Sequence, residues 1–216
     1  MKKYRDHTEV KESQFYTSTA KCRIRKSLLD YFVGNPKNIF TFSGIKAMDV
    51  YAFSIKNAHI ISIEENREIW EAQSLKHRKI NTQYLWYEFK DWVKQGNHFN
   101  PFDIYYLDFN RIWSVDFENE INDFFALNMK RDSIIGITVV AARESLAEIE
   151  KTQCFQMTCA GNPKSFFENR ANVISVTIQN IAKKCGKTLK LLNQESMNYI
   201  ASKCPMLFMA YKIVKV

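Results

Sequence analysis

At 216 residues, with 46% hydrophobic and 25% charged residues, the chain has the size and composition of one ordinary globular domain. No apolar run approaches the roughly 20 residues of a bilayer span, and the N-terminus MKKYRDHTEV has lysines but no apolar stretch behind them. The expectation is therefore a cytoplasmic protein with no membrane segment and no secretory signal, while the net charge of +8 invites polyanionic partners.

Part of that charge is clustered. Residues 1–36 carry eight Lys/Arg against four Asp/Glu, notably in Lys21-Cys22-Arg23-Ile24-Arg25-Lys26, and Lys183, Lys184, Lys187 and Lys190 form a second group. Basic patches attract phosphate backbones without reading sequence, so a nucleic-acid partner is expected; a solvated helix face is the alternative, and a protein partner is also possible. The five cysteines, Cys22, Cys154, Cys159, Cys185 and Cys204, are odd in number and lack CxxC spacing. Reduced thiols and no metal site are expected.

In chain order, residues 12–33 read as a helix with Phe15, Leu28, Leu29, Phe32 and Val33 apolar, stopped by Gly34-Asn35-Pro36. Strand one is Ile39 to Phe42, followed by Gly44. Ile45, Met48, Ala52 and Ile55 recur at helical spacing. His59 to Ile63 is a second strand, nearly all apolar as a strand buried on both faces should be. A helix from Asn66 to about Arg78 is expected to bury Ile69, Ala72 and Leu75. Strand three is Gln83 to Tyr87, then a short helix, Lys90 to Lys94, and a loop at 96–101. Strand four, Phe102 to Leu107, closes on Asp108, and the helix Asp116 to Lys130 has the acidic start and basic end that suit its dipole. Ser133 to Val140 is strand five. Residues 141–165, with Gly161-Asn162-Pro163, are the best candidate for a segment inserted over a site, before a long helix, Phe166 to Lys184. Strands six (Thr188 to Asn193) and seven (Met206 to Val214) are separated by a loop with Tyr199 and Pro205, so they should be antiparallel neighbours.

The stretch from Asn38 to Asn66 is a strand, turn, helix and second strand that ends in Glu64-Glu65, about 20 residues past Gly44. In a βαβ unit this is where a ribose-bearing ligand is held.

Five β/α alternations closed by an antiparallel pair define an α/β fold: a Rossmann-like, doubly wound seven-stranded sheet, mostly parallel with an antiparallel last strand. This resembles the class I S-adenosylmethionine-dependent methyltransferases over residues 36–216, with residues 1–35 as a helical N-terminal addition. The resemblance implies a cofactor, S-adenosylmethionine, and a site. Phe42-Ser43-Gly44 stands where the family's glycine-containing loop passes under the methionine part, although the family's acid is absent and Lys46 stands where a further glycine is common. Glu64 looks like the acid that accepts hydrogen bonds from both ribose hydroxyls; as an alternative, Glu64 and Glu65 cap the following helix. Glu88 lies near the position of the adenine.

Leu107-Asp108-Phe109-Asn110 is similar to the Asp/Asn-Pro-Pro-aromatic motif of enzymes that methylate base amino groups, without its prolines. Asp108 would accept from the target amine and Phe109 would stack on the base, with Asn110 and Trp113 nearby. Arg143 and Glu144 fall near the same crevice. The implied activity is methyl transfer to nucleic acid, RNA or DNA. The alternatives are a catalytically inactive, methyltransferase-like binding subunit or nucleic-acid-binding protein, and a nicotinamide-dependent Rossmann enzyme. A ribose-hydroxyl target would call for Lys and Glu at the site instead.

Overall fold

Apolar runs that alternate with helices pair in parallel, because crossover helices cover both faces of the sheet they make. The structure is a computed structural model that describes residues 19–42, 47–54, 57–76, 81–95, 101–141, 146–158, 162–193, 197–201 and 204–216. Ser43, Gly44 and Lys46, Arg143 and Glu144, and the first 18 residues lie outside it.

The described elements are α1 (Thr19–Tyr31), β1 (Asn38–Phe42), α2 (Met48–Ser54), β2 (His59–Glu64), α3 (Arg67–Lys76), β3 (Thr82–Trp86), α4 (Phe89–Gln95), β4 (Ile104–Ile112), α5 (Val115–Ala126), β5 (Ile134–Val140), α6 (Leu146–Ile149), α7 (Gln153–Thr158), α8 (Pro163–Lys184), β6 (Thr188–Leu191), β7 (Met197–Ala201) and β8 (Cys204–Lys215). The sheet order is β3-β2-β1-β4-β5-β8-β6. Pairing is parallel from β3 to β5, and β8 runs antiparallel to β5 and β6. The fold is the Rossmann-like one expected, with its winding direction reversing between β1 and β4. That switch point opens the crevice at the carboxyl edge.

Two strands differ from expectation. Around Tyr199, where a loop is expected, β7 pairs with the first half of β8, from Met197↔Phe208 to Ala201↔Cys204, while β6 pairs with the second half. β6 and β7 therefore form one edge strand in two pieces, and seven strand positions remain. β4 does not stop at Leu107. Asp108 pairs with Thr138 and Ile112 with Val140, so Phe109, Asn110 and Arg111 stand opposite Val139 alone. This is a bulge at the carboxyl edge, a device that re-aims side chains next to sites.

Alternation along the strands splits the core in two. Phe40, Ile63, Tyr105, Leu107 and Ile137 face α4, α5 and α8 through Trp92, Phe124 and Ile178. Ile39, Ile60, Ile104, Tyr106 and Phe208 face α1 and α2 through Ile24, Leu28, Val50 and Phe53. Leu28 lies so close to β5 that a Cβ on Gly136 would stand 2.8 Å from it. A methyl group on Gly136 would press on the ends of the Leu28 and Phe208 side chains.

At the opposite edge α3 departs from its expected burial. Asn66 caps it, Oδ1 accepting from the Glu68 and Ile69 amides at 3.0 and 3.2 Å. Leu75, however, is 66% exposed, and the wholly buried residue of this helix is Gln73. The helix lies over β3, the last strand, so half its inner face has no sheet to meet. Residues 146–158 are held on α5, where the buried Glu118 carboxylate accepts from the Gln153 and Cys154 amides and from Trp113 Nε1. Among the described residues, no helix is long and apolar enough to cross a membrane.

Candidate functional site

A cavity of about 350 Å³ opens at the carboxyl edge of β1, β2 and β4. Its floor is aromatic: Phe42, Phe89 and Phe109 meet edge to face with centroids 5.0–5.5 Å apart. Its walls carry six carboxylates, Asp49, Glu64, Glu65, Glu88, Asp108 and Glu120, against two cations, Lys90 and Arg111. Four of these acids are met by cations, Asp49 by Arg25, Asp108 by Lys21, Glu88 by Lys90 and Glu120 by Arg111. The negative surplus therefore lies at Glu64 and Glu65, which favours a ligand with hydroxyl donors or a positive charge over an apolar body.

Six of the eight residues singled out in the sequence line this one cavity: Phe42, Glu64, Glu88, Asp108, Phe109 and Asn110. The other two, Ser43 and Gly44, lie outside the described residues, but their neighbour Ala47 is buried with φ 47°. That is a left-handed conformation that glycine adopts most easily. Glu64 is the last residue of β2, and its Oε1 accepts from the Asn66 amide at 3.0 Å. Glu88 is exposed and paired with Lys90 at 2.7 Å. Asn110 is exposed in the bulge. Phe109 is 5% exposed and belongs to the aromatic core, with the Arg111 guanidinium over its ring at 4.9 Å. Arg111 in turn lies over Phe117 at 4.6 Å and is forked onto Glu120.

Asp108 is the most elaborately held of these residues. One oxygen accepts from Lys21 Nζ of α1 and the other from the Thr138 hydroxyl of β5; the Lys21 and Asp108 side chains are only 6% and 5% exposed. One helical turn on, Arg25 pairs with Asp49 at 3% and 1% exposure. Burial pushes the Asp49 carboxyl up to about 6, with Arg25 opposing. The Tyr106 hydroxyl is buried beside these charges without a hydrogen-bond partner among the described residues, and the buried Tyr199 hydroxyl lies beside Thr138. Burial, reinforced by Asp108, keeps both phenols well above their ordinary range.

Lys21 and Arg25 are therefore not part of a solvated basic face. They are buried at 5% and 2% exposure, and two of the cations in the N-terminal basic run are unavailable to phosphates. The signal was in the sequence: positions 21, 24, 25 and 28 form one helical stripe, and cations share it with Ile24 and Leu28. Asp49, Arg111 and Glu120 carried no such mark.

No family model matches this sequence, and no curated protein matches it. Solved structures do. Trm5b from Pyrococcus abyssi superposes with a TM-score of 0.60 at 10% identity, over 93% of this chain and 51% of that one. A putative SAM-dependent methyltransferase from Streptococcus mutans gives 0.58 at 15% identity, over 88% and 48%. TYW2 from P. horikoshii, in complex with MeSAdo, gives 0.56 at 15% identity, over 96% and 67%. The chain thus spans about half the length of the first two. Its fold is that of the class I S-adenosylmethionine-dependent methyltransferases.

Proposed function

We propose that this chain is an S-adenosylmethionine-dependent methyltransferase whose acceptor is an amino group of a nucleic-acid base. The cavity carries the proposal: acid-rich walls over an aromatic floor, at the switch point of the sheet, with Glu64 ending β2. S-adenosylmethionine would bring a sulfonium-activated methyl group, a net positive charge, and a ribose whose hydroxyls need an acceptor.

On this reading Glu64 accepts from the ribose, Glu88 lies toward the adenine, and Phe42, with Ser43 and Gly44, runs beneath the methionine part. Asp108 holds the acceptor amine with Asn110 beside it, and Phe109, only 5% exposed, underlies them in the aromatic floor rather than stacking on the base. The protein's contribution is alignment, since the leaving group is already positive and no separate base is obligatory. Support for a nucleic-acid acceptor comes from the net charge of +8.

Calorimetry with S-adenosylmethionine and S-adenosylhomocysteine is the deciding measurement. Binding is expected, and Glu64→Ala should weaken it roughly 10- to 100-fold or more, since a single hydrogen bond to a charged group already supplies that much. No heat at about millimolar ligand, or an affinity indifferent to Glu64, would sink the assignment. One observation favours a second reading, binding without methyl transfer: both Asp108 oxygens are already engaged, by Lys21 and Thr138. Cofactor binding with no label passing from S-adenosylmethionine to bulk RNA or DNA would decide for it.

A further inference from the structure

We propose that Lys190, Lys212, Lys215 and Arg131 form the docking face for the nucleic-acid backbone. That face is at the amino edge of the parallel strands, opposite the cavity, so an acceptor must be long enough to reach both. This rests on the nucleic-acid reading above and adds to it a surface and a length requirement.

The starting point is a pairing that the fold alone does not favour. Lys190 on β6 and Lys212 on β8 are direct cross-strand partners, so their side chains leave the same face of the sheet side by side. Like charges so placed repel. The blander explanations cover only part of it. Lysine on an edge strand blocks edge-to-edge pairing, which accounts for Lys190. It does not account for Lys212, because β8 is an inner strand with β5 on its other side, where Lys212 pairs with Ile134. Lys212 does reach Asp132 at 2.8 Å, but Asp132 is also 4.0 Å from Arg131 and is 59% exposed. One exposed carboxylate thus serves two cations, while exposed Lys190 and Lys215 stand beside them. The local balance is positive and faces solvent. A row of phosphates supplies the missing charge.

The register fixes the place. Ile134, opposite Lys212, begins β5, and the cavity lies past the carboxyl ends of β1, β2 and β4. Seven residues of β5 at about 3.3 Å each span roughly 20 Å. At about 3.4 Å per nucleotide, a strand must run on for some six or seven nucleotides to touch both places.

The test is fluorescence anisotropy with labelled RNA of about 25 nucleotides and of about four, titrated from about 50 to about 200 mM salt. Lys190→Gln/Lys212→Gln should weaken the long RNA about fivefold or more and flatten its log–log salt slope by about 1.4, that is 0.7 per lost contact on a single strand. The short RNA, which offers too few phosphates to engage the whole face, should lose less than the long one. Lys76→Gln, an exposed change at the far edge of the sheet, should leave every value in place. The melting temperature of the double variant should stay nearly level, because the repulsive pair and the partly exposed Lys212–Asp132 ion pair are lost together. An unchanged slope, equal losses on both RNAs, an equal effect of Lys76→Gln, or no binding of the long RNA by the parent overturns the docking face. S-adenosylmethionine calorimetry on the same preparations reports separately. If no form binds the cofactor, the methyltransferase reading fails while the salt slope still judges the surface.

Discussion

Replacing Lys21 with Met tests whether α1 is a working wall of the site. The Lys21 and Asp108 side chains are 6% and 5% exposed, so solvent does little to screen the pair. Removing the ammonium leaves the Asp108 carboxylate buried with the Thr138 hydroxyl as its remaining partner from this pair of bonds. Breaking a buried ion pair from one side costs about 3–5 kcal/mol. With a urea m-value of about 2–3 kcal/mol per molar, the unfolding midpoint should fall by roughly 1–2 M. Asp108→Asn should cost a similar amount, since it strands the ammonium instead. The informative variant is the double one. If the two groups act as a unit, Lys21→Met/Asp108→Asn should lose about as much as either single change, far short of their sum. Urea unfolding followed by circular dichroism gives all four corners of the cycle. Additive losses, or a Lys21→Met effect below about 1 kcal/mol, would show that the pair is not holding α1 and β4 together.

Two further changes probe the same side of the sheet. Gly136→Ala puts a methyl group 2.8 Å from Leu28 and should cost about 1–3 kcal/mol as overpacking, with much of that recovered by Leu28→Ala; thermal unfolding that shows no penalty would mean α1 does not rest on β5 as described. Asp49→Asn addresses pH. A carboxyl raised from 3.8 to about 6 contributes stability that is fully present below the unfolded value and is lost as pH rises through about 6. The wild type should therefore lose about 3 kcal/mol relative to Asp49→Asn between pH 4 and pH 7, and parallel stability curves would refute the burial argument.

The fold was legible because its signals are local. Each β/α unit shows a change from a short apolar run to a helical stripe, and the missing helix between Thr188 and Val214 marks the reversed strand. The failures were of a different kind. Leu75 has a helical, apolar pattern that looks buried, yet exposure depends on whether another strand lies beyond β3, which no local window contains. Tyr199 sits in a five-residue strand whose pairing with β8 is clear only once β8 is placed. β4 continues past Asp108 because β5 resumes pairing at Val140, a partner 28 positions beyond Ile112.

The site divides along the same line. Phe42 and Glu64, which end β1 and β2, and Asp108 and Asn110, at the bulge of β4, could be found because a sheet gathers the carboxyl ends of its parallel strands on one edge. Lys21 could not be placed there by any such rule, since it meets Asp108 across 87 positions of sequence. Its composition nevertheless held a warning. A cation on the apolar stripe of an amphipathic helix must either snorkel or find a buried acid. Lys21 and Arg25 occupy two of the four inward positions at 21, 24, 25 and 28, and the stripe is short, so both could not reach water at the helix ends. Two buried acids had to exist elsewhere in the chain. Read in that way, the basic run at residues 21–26 points less to nucleic acid than to Asp49 and Asp108, and the phosphate-facing charge must be sought on other strands.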